Sequence, residues 1–404
     1  MVRPTIETES FSENGLFPRR RLRIGDKIVD TPAKAIPVSK RRDDDPELSD
    51  DSRGTNEIYR TVDAQKLRAE REGDSEAIRT SLQRSVNKAN DDELNVVFLA
   101  FEETRALQQV EAEFIVDLLT TYSDLLVAPL QYKLARAVES DDEDETVPYR
   151  EYRNGVKTFI ETVQKLESEM PIMGTISPRL SWANMQDLMG VYERHEVYAY
   201  CLNMDRLKAT SQQQVSVIQP MMRSIARRGI EEEVLFYGIN MHSGNSDEKL
   251  GLKPASDMAA LGLGLDIVGE CHIPPRMPEE VYDDLGQDDE TVTFELFDED
   301  AYGRREVLLA ELPQELPECS AFDAEYLVRQ GSQSEQTRRR LEKLVNAELM
   351  GQAATNLQSE IKSGTAFRSV TSKRGVDRRT ATAYQAVRDD FGDGHGQSGL
   401  GDFM

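Results

Sequence analysis

The chain has 404 residues, of which 74 are Asp or Glu and 49 are Lys or Arg, so its formal net charge is −25. It has no apolar run long enough to cross a membrane, and its polar first residues do not resemble a secretory signal. Its three cysteines, Cys201, Cys271 and Cys319, lie far apart and form no CxxC pair. We therefore expect a reducing, cytoplasmic setting without disulfides.

The acidic residues are spread along the whole chain, and Arg is much more common than Lys. Such a surface suits molar salt, because the salt screens the repulsion between carboxylates. We interpret the chain as halophilic, with an acidic protein of ordinary salt as the alternative. The net charge does not exclude a nucleic-acid partner, since local basic patches and non-ionic contacts can supply the binding.

The N-terminal part carries two strongly charged segments. Residues 1–24 end in several arginines and predict a basic arm. Residues 41–93 contain acidic runs and helix-favouring sequence, which predicts an exposed helical insertion or a partly disordered segment.

From residue 94 onward, predicted strands and helices alternate. The apolar run 94–101 is typical of a strand buried on both faces. Further strands are predicted at 124–130, 171–177, 197–203, 234–240 and 263–271, with helices between them at 107–122, 151–169, 181–195, 211–229 and 255–262. This alternation requires parallel strands, so it predicts a TIM-type α/β barrel or a doubly wound sheet. No GxGxxG or Walker A sequence opens a helix, which favours the barrel.

The C-terminal part is predicted to be helical at 321–331 and 334–363, followed by a loose tail over 364–404. Five basic residues of this tail suit contacts with phosphates, and a basic tail without a partner is the alternative. These residues are Arg368, Lys373, Arg374, Arg378 and Arg379.

Three stretches of the chain, in order, resemble the tRNA-guanine transglycosylase family. Residues 25–38 are similar to the opening strand of those barrels, where a Thr-Pro precedes a Met-Pro-Val. Residues 260–276 are similar to a late strand of the family, and residues 317–327 are similar to its zinc-binding segment. The resemblance implies a TIM-type (β/α)8 barrel over 25–307 with a helical appendage over 308–363.

The family replaces guanine in RNA with a 7-deazaguanine, and related enzymes act on DNA. One carboxylate attacks the ribose anomeric carbon to form a covalent glycosyl-enzyme, and a second carboxylate moves protons. The resemblance implies Glu270 as the nucleophile, with Asp266 as the alternative, and Glu102 as the proton-transferring group. Glu102 precedes a second glutamate in an acidic protein, so a solvated side chain is the simpler interpretation. The substrate-binding positions implied are Ser177, Asn203, His272 and Arg276.

The chain also departs from the family pattern. Of the zinc ligands only Cys319 remains, and one thiolate cannot hold a structural zinc, so we expect no zinc and no other cofactor. A metal held by Glu270 and His272 is less favoured than a carboxylate beside a hydrogen-bonded histidine. The Asp that reads the base is missing near residues 129–131.

Two functions follow from these departures. The first is a base-exchange glycosyltransferase that acts on DNA or tRNA. The second is a non-catalytic subunit that binds nucleic acid or an active homologue. Members of the family commonly form dimers, so the resemblance implies a homo- or heterodimer. An unrelated barrel enzyme such as an aldolase is less favoured, since no Lys lies at the predicted strand ends after residue 94.

Overall fold

The computed structural model describes residues 3–12, 16–139, 147–274 and 292–396. Over these residues the strands are β1 (Thr5–Phe11), β2 (Pro18–Ile24), β3 (Lys27–Thr31), β4 (Ala33–Lys34), β5 (Thr55–Val62), β6 (Leu94–Phe101), β7 (Leu126–Val127), β8 (Ile172–Ile176), β9 (Ala199–Asn203), β10 (Leu235–Ile239), β11 (Lys253–Pro254), β12 (Ile267–Val268), β13 (Thr293–Asp298) and β14 (Gly303–Leu308). The α-helices are α1 (Ala64–Glu72), α2 (Ala77–Val86), α3 (Gln109–Tyr122), α4 (Tyr132–Glu139), α5 (Val147–Lys165), α6 (Trp182–Arg194), α7 (Gln212–Arg228), α8 (Leu312–Glu315), α9 (Ala324–Gly331), α10 (Glu335–Lys362), α11 (Ala366–Ser372) and α12 (Arg378–Gly396). The predicted alternation of strands and helices is confirmed, and the chain has a mixed α/β fold.

A six-stranded parallel sheet forms the centre of the molecule, in the order β4-β12-β10-β9-β8-β7. Strands β5 and β6 form a separate parallel pair. The Ile36 backbone N, just after β4, donates to the Thr55 O at 2.8 Å, and the Leu130 N, just after β7, donates to the Leu99 O at 2.9 Å. Both edges of the six-stranded sheet are therefore hydrogen-bonded to the β5–β6 pair.

Strand β6 shows why these strands are apolar on both faces. Val97 and Leu99 join the outer hydrophobic cluster that the helices cover, whereas Phe98 and Ala100 join a second, inner cluster. Because neighbouring side chains of a strand point to opposite faces, a continuous apolar run satisfies both clusters at once.

The N-terminal segment folds as a sheet rather than as the expected basic arm. Strands β1, β2 and β3 form an antiparallel sheet, and Leu22, Ile24 and Val29 extend the inner cluster. Burial alternates along β2, so Arg20 lies on the buried side and is 4% exposed. The arginines of this segment therefore lie on a strand in which more buried and less buried side chains alternate.

The charged segment 41–93 also differs from the exposed helical insertion that we expected. It contains β5, whose Ile58 and Val62 are fully buried, and the helices α1 and α2 follow. Only three of the eight β5 residues are aliphatic or aromatic, so the strand lacks the apolar run that marks β6.

The tail, expected to be loose from residue 364, carries α11 and α12 instead. Helix α12 packs against α7, and Tyr384 is fully buried. Its hydroxyl donates to the Ala259 O at 2.7 Å, and its ring meets Phe17 edge-on with 5.3 Å between centroids. This aromatic anchor joins the tail to the core. No helix of the described residues combines the length and apolar character needed to span a membrane.

Helix α10 approaches the 3-10 turn Asp50–Ser52 closely at Gly351. A Cβ on Gly351 would lie 2.8 Å from the Ser52 Cα and 2.9 Å from the Ser52 O. Since backbone cannot rotate aside like a flexible side chain, we expect Gly351→Ala to lower the free energy of unfolding by about 1–3 kcal/mol.

Gly190 in α6 provides the matched control. A Cβ there meets only the Arg194 Nη1, at 3.5 Å, so the added methyl group has room. We expect Gly190→Ala to leave the free energy of unfolding unchanged or to raise it by about 0.5–1 kcal/mol, because glycine in a helix carries an entropic cost. Urea unfolding measures both variants, and equal effects would contradict the close approach.

Candidate active site

A cavity of about 400 Å³ lies beyond the carboxyl ends of β10 and β12. His242 follows β10, and Glu270, Cys271 and His272 follow β12 on one side of the cavity. Helix α10 contributes Lys343 to the other side. The carboxyl ends of parallel strands are where open α/β sheets and barrels bind their ligands.

Glu270 is an ionised carboxylate held between two lysines. Its Oε1 lies 3.4 Å from the Lys343 Nζ, and its Oε2 lies 3.8 Å from the Lys34 Nζ, while 20% of the side chain remains exposed. Burial acts to raise the pKa of Glu270, but the charges of Lys343, Lys34 and His272 outweigh it and lower the pKa to about 2. Glu270 is therefore negatively charged across the neutral range.

His272 forms a dyad with a buried carboxylate. Its Nε2 lies 2.5 Å from the Glu57 Oε1, and the Glu57 Oε2 accepts a hydrogen bond from the Tyr237 hydroxyl at 2.5 Å. Glu57 also accepts from the Glu270 backbone N at 2.8 Å, so it fixes the loop that carries both site residues. The His272 ring stacks on Tyr59, with centroids 4.5 Å apart and planes 5° apart.

This arrangement fixes the chemistry of the histidine. A carboxylate on one ring nitrogen selects the tautomer and holds the ring in place. Because Glu57 occupies Nε2, proton transfer by His272 would use Nδ1. The same cavity thus holds an anionic carboxylate and a supported acid–base group.

Asn203, expected to bind substrate, instead supports the loop after β12. Its Oδ1 accepts from the Asn240 Nδ2 at 3.0 Å, and the Asn240 Oδ1 accepts from the His272 backbone N at 2.9 Å. Asn240 has φ of 58°, a left-handed conformation that Asn tolerates better than most residues. The hydrogen-bonded pair of Asn203 and Asn240 therefore holds the backbone of His272 in place.

Asp266, the alternative nucleophile, is fully buried and does not line the cavity. Its carboxylate accepts hydrogen bonds from the Arg20 Nη1 at 3.0 and 3.1 Å and from the Phe236 N at 2.8 Å. Burial raises the pKa of Asp266, and Arg20 opposes the rise. The structure places Asp266 in an ion pair that joins β2 to the base of β12.

Glu102 and Ser177 also lie outside the lining of the cavity. The Glu102 Oε1 accepts from the Tyr132 hydroxyl at 2.5 Å, and a third of its side chain is exposed. The Ser177 Oγ accepts from the Arg179 N at 3.3 Å. Arg276 lies outside the described residues.

Glu342 of α10 is a further carboxylate of the cavity lining, beside Glu270, Glu295 and Asp257. Burial raises the pKa of Glu342, although the charge of Arg339 opposes the rise. The Glu342 Oε1 accepts from the Glu295 backbone N at 3.2 Å. One cavity therefore contains carboxylates whose pKa values are shifted in opposite directions, a pattern typical of acid–base sites.

The basic residues of the tail lie elsewhere. Arg378 and Arg379 line a groove of about 1020 Å³ between α7 and α12. The Arg374 Nη2 donates to the Leu250 O at 2.6 Å. Arg368 lies on α11, and Lys373 directly follows that helix.

The sequence reasoning missed the groups that support the site. Glu57, Tyr59 and Lys34 lie on β4 and β5, in segments that we interpreted without singling out these side chains. The spacing of Glu57 and Tyr59 places both on one face of a strand, but the segment lacks the apolar run that would have marked it as a strand. Lys34 lies before the strand ends that we considered; it closes β4 and is 3% exposed. Cys271 lines the cavity beside its neighbours because this loop has left the alternating geometry of β12.

The lowered pKa of Glu270 predicts a contribution to stability that depends on pH. Its pKa is about 2 in the folded chain against an ordinary 4.5, so the stabilisation is present above 4.5 and is lost as the pH falls toward 2. We expect the difference in the free energy of unfolding between wild type and Glu270→Gln to shrink over that window. Urea unfolding of both proteins between pH 6 and the lowest pH at which they fold measures it. A difference in the free energy of unfolding that stays constant with pH would contradict the stabilisation of ionised Glu270 by Lys34 and Lys343.

Within the described residues, no group of three or more His, Cys, Asp or Glu side chains is placed to hold a metal ion. Cys319 is exposed.

No protein-family model matches the chain, and no curated protein matches it. Solved structures of the carboxyl transferase domain of Rhizobium etli pyruvate carboxylase are similar at 10% identity with 3-bromopyruvate, at 11% without it and at 9% with 3-hydroxypyruvate. Their TM-scores are 0.34, 0.34 and 0.30, over 84%, 84% and 78% of this chain and 54%, 54% and 50% of those chains. The chain thus spans about half the length of these structures, and a likeness this weak carries no argument about activity.

Proposed function

We propose that this chain is a base-exchange glycosyltransferase built on a closed TIM-type barrel, with Glu270 as its nucleophile. The hydrogen bonds from both edges of the six-stranded sheet to β5 and β6 support a ring of eight parallel strands. The sheet of β1, β2 and β3 covers the interior through the inner cluster. The cavity then lies at the end of the barrel where such folds hold their active sites.

The observation that carries the proposal is that Glu270 and His272 line one cavity. In the first half-reaction the Glu270 carboxylate bonds to the anomeric carbon of a nucleotide, the bond from that carbon to the base nitrogen breaks, and the electron pair leaves with the base. His272 donates the proton that neutralises the departing base. In the second half the incoming base attacks the same carbon, gives its proton to His272 and displaces Glu270.

The two lysines fit this chemistry. A carboxylate with a pKa of about 2 is a weak base, so it leaves readily in the second half-reaction. Lys34 and Lys343 keep it ionised before attack and stabilise its charge again when it departs. The reaction uses no zinc and no other cofactor.

The substrates are proposed from the resemblance alone: guanine is exchanged for a 7-deazaguanine in DNA or tRNA. The test is incubation of the full chain with labelled guanine or labelled 7-deazaguanine and with duplex DNA or tRNA, in molar KCl. Incorporation into one polymer, with a covalent protein–nucleic acid adduct on a denaturing gel, is the expected result. The absence of incorporation into every one of these polymers would contradict the proposal.

The alternative is a non-catalytic subunit that binds nucleic acid or an active homologue, as a homo- or heterodimer. The observation in its favour is that both oxygens of Glu270 already face lysines, as in a purely structural ion-pair network. This alternative predicts binding without incorporation, and activity of an added homologue that is unaffected by Glu270→Gln.

A further inference from the structure

A concentration of positive charge lies next to the Glu270 cavity. One cavity of about 430 Å³ is lined by seven cationic side chains, by Ser39 and by Gln336, and by no carboxylate of the described residues. In a chain of net charge −25 such a lining is a strong local departure. The seven cationic residues are Lys40, Arg41, Arg42, Lys88, Arg339, Arg340 and Lys343.

A second cavity, of about 620 Å³, continues the first one and shares Ser39 and Lys88 with it. It runs along α2 and adds Arg60 and Arg84, together with one carboxylate, Glu76. We call the two cavities together the basic groove. At its other end, Arg339 and Lys343 also line the Glu270 cavity. The basic groove therefore adjoins the candidate active site.

Much of this charge is not neutralised inside the protein. Arg340 pairs with Asp45, Lys343 faces Glu270, and Arg339 lies within ion-pair distance of both Glu335 and Glu342. The other four cations of the first cavity lie within ion-pair distance of no carboxylate of the described residues. Burial lowers the pKa of Lys88, although the charges of Asp43 and Asp45 act to raise it. Burial lowers the pKa of Lys40, and the neighbouring charges of Lys343 and Arg60 lower it further. Clustered like charges of this kind are relieved by an anion.

Arg60 shows the same pattern in the second cavity. Its guanidinium donates to the Ser81 Oγ, the Ser85 Oγ and the Tyr59 O, each at 2.7 Å, and these acceptors are neutral. Burial lowers the pKa of Arg60. A hydrogen-bonded but uncompensated cation fixed on a strand adds a positive potential to the groove that does not depend on a mobile side chain.

We propose that the basic groove binds the phosphodiester backbone of a nucleic acid strand. Separate cations along an extended groove suit successive phosphates, whereas a single phosphate would need one compact cluster. The placement of the strand's reacting nucleotide in the Glu270 cavity rests on the function proposed above, but binding in the groove does not. We assign the main contact with phosphates to this surface rather than to the tail, because the basic groove adjoins the Glu270 cavity and the tail groove does not.

The test compares two double variants of equal charge change in the full chain. Arg42→Glu with Arg84→Glu reverses two exposed cations of the groove that touch neither Glu270 nor His272. Arg368→Glu with Arg378→Glu reverses two exposed cations of the tail. Fluorescence anisotropy with a labelled single-stranded oligonucleotide and a labelled duplex, from 0.1 to 1 M KCl, gives Kd and its dependence on salt.

We expect the groove variant to bind at least about tenfold more weakly at the lowest salt. The slope of log Kd against log salt should fall by about 0.7–0.9 for each phosphate that the variant no longer neutralises. The tail variant should change Kd less than about threefold, which controls for net charge. Equal weakening of both variants, or none in the groove variant, would overturn the proposal.

A competition experiment distinguishes phosphates from carboxylates as the anions that the groove binds. Inorganic polyphosphate should displace the oligonucleotide from wild type, whereas polyglutamate of equal charge should not. Displacement by polyglutamate at equal concentration would overturn the assignment to phosphate. If no base exchange is found but the groove variant still binds more weakly, the proposed function fails and the groove proposal stands.

Discussion

Replacing Glu270 with Gln should reduce base exchange by on the order of a thousandfold or more, because an amide supplies neither an anionic nucleophile nor a good leaving group. The covalent adduct should disappear from denaturing gels. Glu270→Asp keeps the carboxylate but shortens it by one methylene group, and it should retain part of the activity. Rates of label incorporation at saturating polymer, together with adduct yields, measure both effects.

Glu295→Gln is the matched control for this prediction. Glu295 also lines the cavity, and its Oε1 pairs with the Lys253 Nζ at 2.9 Å rather than with either lysine that faces Glu270. The change removes the same charge from the same cavity but leaves the proposed nucleophile in place. An adduct that persists in Glu270→Gln at wild-type yield would rule out Glu270 as the nucleophile.

A structural consequence has to be separated from the chemical one. The Lys34 side chain is 1% exposed and loses its facing carboxylate when Glu270 becomes Gln. Some loss of stability is therefore expected alongside the loss of activity. Urea unfolding under assay conditions determines the folded fraction, and the rate is then expressed per folded molecule.

Much of the fold was predictable because its signals are local. The buried strand 94–101 was predicted with its observed bounds, since it needs apolar side chains toward both clusters. The helix predicted to stop at Gly229 does so, with that glycine in the left-handed conformation at φ of 63°. Strand β5 was missed because a carboxylate, Glu57, occupies one of its fully buried positions, so the sequence of the segment resembles that of a charged surface.

The site was predictable only in part, because the residues that form it are far apart along the chain. Glu270 and His272 follow a recognisable strand, and the structure places both in one cavity. The partner of His272 is Glu57, 215 positions earlier, and one partner of Glu270 is Lys343, 73 positions later. Nothing in the local pattern of either partner indicates such a contact, because it arises from the closure of the fold. Chemical type alone likewise could not separate Asp266 from Glu270.

Asp266→Asn should lower the free energy of unfolding by about 3–5 kcal/mol, because it leaves the charge of Arg20 buried without a partner. The two side chains are 0% and 5% exposed, and Arg20 also donates to the Val234 O at 2.6 Å and to the Glu231 O at 3.0 Å. The guanidinium is thus held in place and cannot move to water. Chemical unfolding at neutral pH measures the loss.

Two controls show whether the cost comes from burial. Glu72→Gln breaks the exposed i, i+4 pair with Arg68 and should cost less than about 1 kcal/mol. Replacing Arg20 with Met and Asp266 with Leu together removes both charges, and it should be less destabilising than Asp266→Asn alone because no unpaired charge remains.

The same variant decides between the two carboxylates of β12 and its loop. Per folded molecule, Asp266→Asn should keep the covalent adduct and the rate of base exchange, because the Asp266 carboxylate faces Arg20 and does not reach the cavity. If Asp266→Asn instead abolished the adduct with little change in the free energy of unfolding, the nucleophile would be Asp266. The loop after β12 would then have to move before reaction. Unfolding and adduct yield measured on one preparation therefore distinguish a buried structural ion pair from a displaced catalytic group.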